Sequence, residues 1–117
     1  MNEIYYDFNN LITSVKHLHL TTNSFALHKD TDEFHEKLLD HYDKFMEACI
    51  GQNLSLKASL AKYKAMNIVS DPSRIDEFML TLKNRLYLTT ENSSSLKAIV
   101  DDIVSDMNKF TYLRSFT

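Results

Sequence analysis

The chain has 117 residues, which are enough for one domain with a single hydrophobic core and leave little room for a second. One glycine and one proline allow few tight turns, so an all-β fold is nearly excluded, and we expect an all-α class with a single domain over residues 1–117. Thirteen basic and sixteen acidic residues give a net charge of −3 without a basic tail or block, so nucleic acid is not an expected partner.

The first half of the chain predicts two helices joined by a short link. The first runs to about Leu20, where Thr21–Ser24 ends it and offers Asn23 or Ser24 as the next N-cap. The second runs from Phe25 to about Ile50, with Gly51 as the expected C-terminal cap. Its wide apolar arc favours burial on two sides. The apolar stripe of the first helix contains Ile4, Phe8, Leu11, Ile12, Val15, Leu18 and His19. The apolar arc of the second helix contains Phe25, Leu27, Phe34, Leu38, Leu39, Tyr42, Phe45, Met46, Cys49 and Ile50.

The second half predicts another pair of helices. Asp71 is the expected N-cap of the third, which carries Pro72 in its first turn and ends near Thr89. The fourth follows residues 91–95 after another short link. The apolar stripe of the third contains Ile75, Phe78, Met79, Leu82 and Leu86, and that of the fourth contains Leu96, Ile99, Val100, Ile103, Met107 and Phe110.

The lengths of the links predict how the helices are connected. The two short links make two antiparallel hairpins, whereas 22 residues separate Gly51 from Pro72, counting both ends. A link of this length can cross the whole bundle, so we expect a ferritin-like four-helix bundle with a long crossover between helices 2 and 3. Residues 54–66 have helical composition and can form a short helix within it. A simple up-down bundle with a helical loop is the alternative.

Two further features bear on location and redox state. No apolar run reaches the roughly 18 residues of a membrane span, and the opening Met1–Asp7 lacks the pattern of a signal peptide. We therefore expect a cytoplasmic protein without a membrane partner. The single cysteine, Cys49, has no cysteine for an internal disulfide or thiolate site, so we expect a small buried apolar residue.

Histidine and carboxylate side chains are concentrated around the second predicted helix. All five histidines lie within the 25 residues from His17 to His41. With Phe25 at 0° and about 100° per residue, four side chains form one band that borders the apolar arc. The band contains His28 at about 300°, Asp32 at about 340°, Asp43 at about 0° and Glu47 at about 40°, with His35 beside it at about 280°.

The chemistry of this band has two interpretations. Unpaired carboxylates at a partly dry surface cost on the order of several kcal/mol each, which favours a bound cation. Imidazole and carboxylate are ligands for iron, manganese or zinc, and His19 can reach the same layer from the first helix. In the structural interpretation, the histidines are hydrogen-bonded core or interface residues and the carboxylates are solvated beside Lys29, Lys37 and Lys44.

The runs Phe25–Asp32 and Leu39–Glu47 resemble the second helix of the Dps family, miniature ferritins that oxidise iron in starved bacteria. The shared pattern is Phe-x-x-His-x-x-x-Asp and then Asp-x-x-x-Glu, with the same eleven-residue interval between Asp32 and Asp43. The close match covers about 23 residues, and the rest agrees in helix order and in the crossover with its short helix.

This resemblance implies a homo-oligomer with a metal site shared across a two-fold interface. One subunit would supply His19, His28 and Asp32, and the other would supply Asp43 and Glu47. The implied activity is ferroxidase-like, the oxidation of Fe(II) by peroxide or oxygen. The chain departs from the family at the first ligand, because His19 lies closer to His28 than in the family and the next residue is leucine instead of the usual tryptophan. His17 is the substitute, but it points off the stripe.

A second resemblance covers most of the chain. The segments His19–His28 and Asp106–Ser115 resemble small ferritin-like proteins of unassigned function, many of them encoded by bacteriophages. This resemblance implies the fold and, for a phage protein, the host bacterial cytoplasm as its location.

Two function classes remain from the sequence. The first is a ferritin-like metal protein with iron between two subunits, since a di-iron site inside one bundle is disfavoured by a fourth helix without histidine. The second is a small helical interaction protein that kept the bundle and lost the metal chemistry. In one form of this hypothesis the protein is viral. Its partner would be an unidentified host protein.

Overall fold

The computed structural model describes residues 1–64 and 67–117, and over them the chain is helical without strands. The all-α prediction is therefore confirmed for this part of the chain. Its helices are α1 (Asn2–Thr21), α2 (Phe25–Gln52), α3 (Ser55–Lys62), α4 (Ile75–Thr90) and α5 (Ser94–Arg114), and a 3₁₀ turn at Pro72–Arg74 precedes α4. The four long helices match the four predicted ones, and α3 is the short helix of the link. The end of its predicted span, Ala65 and Met66, lies outside the described residues.

Side-chain caps fix where three elements begin. Ser24 accepts a hydrogen bond from the Leu27 N–H at the start of α2, and Ser93 accepts one from the Leu96 N–H at the start of α5. Asp71 accepts one from the Ser73 N–H and caps the 3₁₀ turn.

The predicted end of α2 at Gly51 is wrong. The helix continues to Gln52, and Gly51 lies within it without a positive φ. The cap is Asn53, whose extended backbone returns its N–H to the carbonyl oxygens of Cys49 and Ile50. An extended exit is open to any residue, so this helix end does not need glycine.

The long helices pack in a closed ring. Helix α1 packs against α2 and α4, and α5 packs against the same two helices. Stacking of Phe34 on Phe110, with ring centroids 4.3 Å apart, joins the start of α2 to the end of α5. Contacts of His19 with His28 and of Phe8 with Phe45 show that α1 and α2 are antiparallel.

The crossover between α2 and α4 follows α1 for much of its length. The Tyr6 hydroxyl donates to the Asn67 carbonyl oxygen at 2.9 Å, and Asn10 Oδ1 accepts from the Val69 N–H at 2.8 Å. Ser14 Oγ accepts from the Asp71 N–H at 3.0 Å. The chain thereby returns toward the end of α1 before α4 begins, so α4 runs antiparallel to α1 and parallel to α2.

The predicted stripes supply most of the core. All five stripe residues of α4 are buried, as is Cys49, and burial raises the pKa of its thiol to about 11. On α2, however, Phe25 is 75% exposed and Leu39 is 45% exposed, so its wide apolar arc is only partly covered within one chain. None of the described helices has the length and apolarity needed to cross a membrane.

Changing Asn10 to alanine tests the course of the crossover. The side chain is 4% exposed, and its loss leaves the partly buried Val69 N–H without its acceptor. We expect a loss of about 1–3 kcal/mol in the free energy of unfolding and faster amide exchange at Val69. The matched control is Asn84→Ala on the exposed side of α4, which should change stability by less than about 0.5 kcal/mol. Equal effects in the two variants, measured by denaturant unfolding, would contradict the described anchoring.

Candidate functional site

The two histidines nearest the α1–α2 turn form a reciprocal pair. His19 Nδ1 lies 2.8 Å from the His28 carbonyl oxygen, and His28 Nδ1 lies 2.9 Å from the His19 carbonyl oxygen. The rings are stacked, with centroids 3.9 Å apart and planes 20° apart. Thr31 Oγ1 adds a contact at 3.2 Å to His19 Nδ1 while donating to the Leu27 carbonyl oxygen. The pair therefore joins the end of α1 to the start of α2.

These bonds determine which ring nitrogen is available to a ligand. A carbonyl oxygen only accepts, so Nδ1 must carry the proton in both rings. When the rings are neutral, each Nε2 then has a free lone pair. Metal-binding histidines are usually oriented in this way, with the other ring nitrogen donating to a backbone carbonyl or carboxylate.

Because the two rings are stacked, only one of them can bind a given metal ion. A lone pair lies in the plane of its ring, and a first-row metal ion sits about 2 Å from the nitrogen in that plane. Two nearly parallel rings 3.9 Å apart do not direct their lone pairs at one such point. His28 is the exposed member, whereas His19 is only 9% exposed, so His28 is the better placed ligand.

The three carboxylates of the band lie at the surface of α2. Asp32, Asp43 and Glu47 are all exposed, and no hydrogen bond or ion pair joins them to another side chain in residues 1–64 and 67–117. The two aspartates are eleven positions apart, which corresponds to about 16 Å along a helix. The described residues accordingly contain no group of three or more ligand side chains within reach of one ion. Asp32 can join His28 within one chain, but Asp43 and Glu47 cannot.

The other histidines face different neighbours. His35 is half-buried, and its pKa is lowered mainly by burial and further by Lys16, while Asp32 opposes the shift. His17 is exposed and contacts Ser70 in the crossover, so it does not approach α2 as a substitute for His19. His41 lies between α2 and α5, where its Nε2 is 2.6 Å from Asp106 Oδ2.

Sequence reasoning missed two polar arrangements. His41 and Asp106 are 65 residues apart, and nothing in the helical spacing pairs them. Asp7 is buried on α1 and faces Arg85 on α4 at 2.9 Å. Asp7 lies just off the apolar stripe of the first helix, and its burial depends on helices that are distant in the sequence.

The comparisons with known proteins identify the family alone. The chain belongs to the group described as Family of unknown function (DUF5856), which matches residues 19–113. No curated protein and no solved structure matches the chain. The matched range contains His28, the three carboxylates of the band and the His41–Asp106 pair, whereas Asp7 lies before it.

The protonation of the stacked pair can be measured directly. At pH 9, where an ordinary imidazole is neutral, we expect both rings to carry the proton on Nδ1. Long-range ¹H–¹⁵N correlation spectra distinguish the two ring forms, and His41, whose Nε2 faces the Asp106 carboxylate, provides an internal comparison with the proton on the other nitrogen. A proton on Nε2 of His28 would contradict the bond to the His19 carbonyl oxygen and remove the proposed ligand atom.

Proposed function

We propose that the protein is a ferritin-like, Dps-like metal-binding protein with iron at a site shared between two subunits. The observation that carries the proposal is the arrangement of His28, Asp32, Asp43 and Glu47 on one exposed face of α2. The metal would be iron, with manganese or zinc as substitutes that the same ligand types accept.

The helix connections support a ferritin-like four-helix bundle as the scaffold. Helices α1 and α2 form one hairpin, α4 and α5 form another, and the crossover along α1 joins them. The closed ring of contacts among the four long helices agrees with this arrangement.

The spacing of the four ligands is symmetric. His28 and Asp32 are four residues apart, as are Asp43 and Glu47, and both His28 with Glu47 and Asp32 with Asp43 are centred midway between residues 37 and 38. Two antiparallel copies of α2 related by a two-fold axis at that level bring His28 opposite Glu47 of the partner subunit, and Asp32 opposite Asp43 of the partner subunit. The dimer then has two equivalent sites.

Exposed apolar side chains lie on the same face. Leu39 is 45% exposed within about two residues of the proposed axis, and Phe25 is 75% exposed at the far end of the band. Contact with a second α2 would remove both from water. The predicted burial of α2 on two sides would then be completed by the partner subunit.

The ligand set suits a ferrous ion as substrate. Each site offers three carboxylates and one imidazole, whose negative charge would offset the charge of the ion. The Nδ1 bond of His28 orients its ring before an ion arrives. If the protein side chains fill fewer than six coordination positions of the ion, peroxide or oxygen would have room to bind at the others.

A second candidate function is a helical interaction protein without metal chemistry. The favouring observation is that His19 and His28 already bond to each other's backbone, which gives them a structural role without a metal. Metal content separates the two candidates when the protein is purified without a chelator or a histidine tag. Stoichiometric iron, manganese or zinc supports the first candidate, and metal-free protein that also fails to take up Fe(II) supports the second.

Removing the carboxylates of Asp43 and Glu47 should abolish iron binding. We expect roughly one or two Fe(II) per two-fold interface in the unmodified protein and none in the Asp43→Ala, Glu47→Ala variant, by anaerobic isothermal titration. The control Glu91→Ala, Asp102→Ala removes two exposed carboxylates elsewhere and should bind iron normally. Unchanged binding in the first variant would contradict the assignment.

A charge at the centre of the proposed interface should separate the subunits. We expect a dimer or a larger even-numbered oligomer by light scattering, and a smaller species for Leu39→Asp because two carboxylates would face each other near the axis. Leu80→Asp provides the control, since Leu80 is 57% exposed on α4. A monomeric unmodified protein at micromolar concentration would remove both the interface and the shared site.

A further inference from the structure

A cleft lined by both polar and apolar side chains lies on the side of α1 away from its buried apolar stripe. It is formed by α1, α4 and the crossover and has a volume of about 580 Å³, within the range of roughly 300–1,000 Å³ typical of small-molecule sites. The rings of Tyr6, Tyr63 and Phe78 contribute to its walls, and Asp7 and Arg85 face it from α1 and α4.

The carboxylate of Asp7 is buried in this cleft without a directed hydrogen bond. The residue is 6% exposed, and burial raises the pKa of its carboxyl group while Arg85 opposes that shift. Arg85 Nε lies 2.9 Å from Asp7 Oδ2, but Oδ2 accepts no hydrogen bond, so the contact is an ion pair with unfavourable N–H direction. A buried acceptor without a hydrogen bond destabilises the fold relative to one that is bonded to a donor.

A second acceptor in the cleft has the same property. Asn2 Oδ1 is buried and has no hydrogen-bond partner. In residues 1–64 and 67–117, Asp7 Oδ2 and Asn2 Oδ1 are the two buried side-chain atoms in this state, and both belong to residues that line this cleft. Both atoms are oxygens that accept no hydrogen bond, although the Arg85 guanidinium lies beside Asp7.

We propose that the cleft binds a small organic diamine. Ammonium groups supply the N–H donors that the two oxygens lack, and aromatic walls attract cations through the faces of their rings. Asn2 and Asp7 are five positions apart, which separates their Cα atoms by about 7.5 Å along the helix, a spacing that a four-carbon diamine can span.

The charged groups of the cleft are paired with one another. Arg74 is engaged by Glu77 through bonds of 2.7 and 3.1 Å, and the terminal ammonium of Met1 lies 3.6 Å from Glu3 Oε2. Asp7 and Arg85 are the remaining charged pair of the lining, and Asp7 Oδ2 accepts no hydrogen bond. Arg85 is therefore the group that competes with an incoming ammonium for Asp7.

This competition predicts opposite effects for the two members of the ion pair. Asp7→Asn keeps the shape of the side chain and removes its charge, so binding of the diamine should weaken about tenfold or more. Arg85→Gln removes the competing cation, so binding should strengthen. A purely structural role would make both substitutions weaken binding through the same loss of stability, which thermal unfolding of each variant would report.

Three four-carbon compounds serve as matched probes in isothermal titration. Putrescine carries two ammonium groups, 1,4-butanediol is neutral, and succinate carries two carboxylates. We expect binding of putrescine alone, with amide shifts in two-dimensional NMR at Asn2, Tyr6, Asp7 and Arg85. The Asp43→Ala, Glu47→Ala variant should bind it equally well, because that surface lies on α2.

The other outcomes overturn the proposal. Binding of succinate that is lost in Arg85→Gln would assign the cleft to anions. Putrescine shifts confined to the acidic face of α2 would show nonspecific attraction to carboxylates. The absence of binding by all three compounds would show that the two oxygens are satisfied by solvent.

Discussion

The position of the second helical hairpin depends on how the crossover is held against α1. A chain segment that leaves a helix and crosses a packed surface needs partners for its backbone groups, and Asn10 and Ser14 supply them from within α1. These bonds fix where the second hairpin begins, and therefore the antiparallel contact of α4 with α1. Helix α1 consequently has two buried faces, an apolar one toward the core and a polar one toward the crossover.

This arrangement leaves part of one side of α2 exposed within the chain. Helix α2 packs against α1, α5 and the short α3, and its exposed side carries His28, the carboxylates of the band and Leu39. A row of like charges on one helix face makes contact with another surface unfavourable, unless a cation or an opposite charge neutralises the row. The proposed shared metal site would use this property, since the ion would neutralise the carboxylates as the two helices meet.

The sequence was sufficient for the features that depend on helical periodicity. The stripe of α4 and the cap at Ser24 follow from local spacing and side-chain chemistry, and the structure confirms them. Asp71 caps the 3₁₀ turn before α4, whereas α4 itself begins after Arg74 without a side-chain cap. The end of α2 at Asn53, two residues after Gly51, was not predictable, because a helix can end at an asparagine as well as at a glycine.

The polar contacts between distant segments required the structure. The burial of Asp7 is caused by packing partners far along the chain, so no local pattern signals it. On the candidate site, sequence alone aligned the ligands of α2 on one face, but it could not show that His19 and His28 bond to each other's backbone. The second subunit remains a prediction from the symmetry of the spacing.

The most direct test of the shared site is complementation between two inactive variants. His28→Ala, Asp32→Ala and Asp43→Ala, Glu47→Ala chains should each fail to bind Fe(II) as pure oligomers. After unfolding and refolding as an equimolar mixture, half of the two-fold pairs would be mixed, and each mixed pair would hold one intact site. We therefore expect recovery of about a quarter of the iron capacity of the unmodified protein. No recovery, although mass spectrometry shows that mixed pairs have formed, would contradict a site shared between subunits.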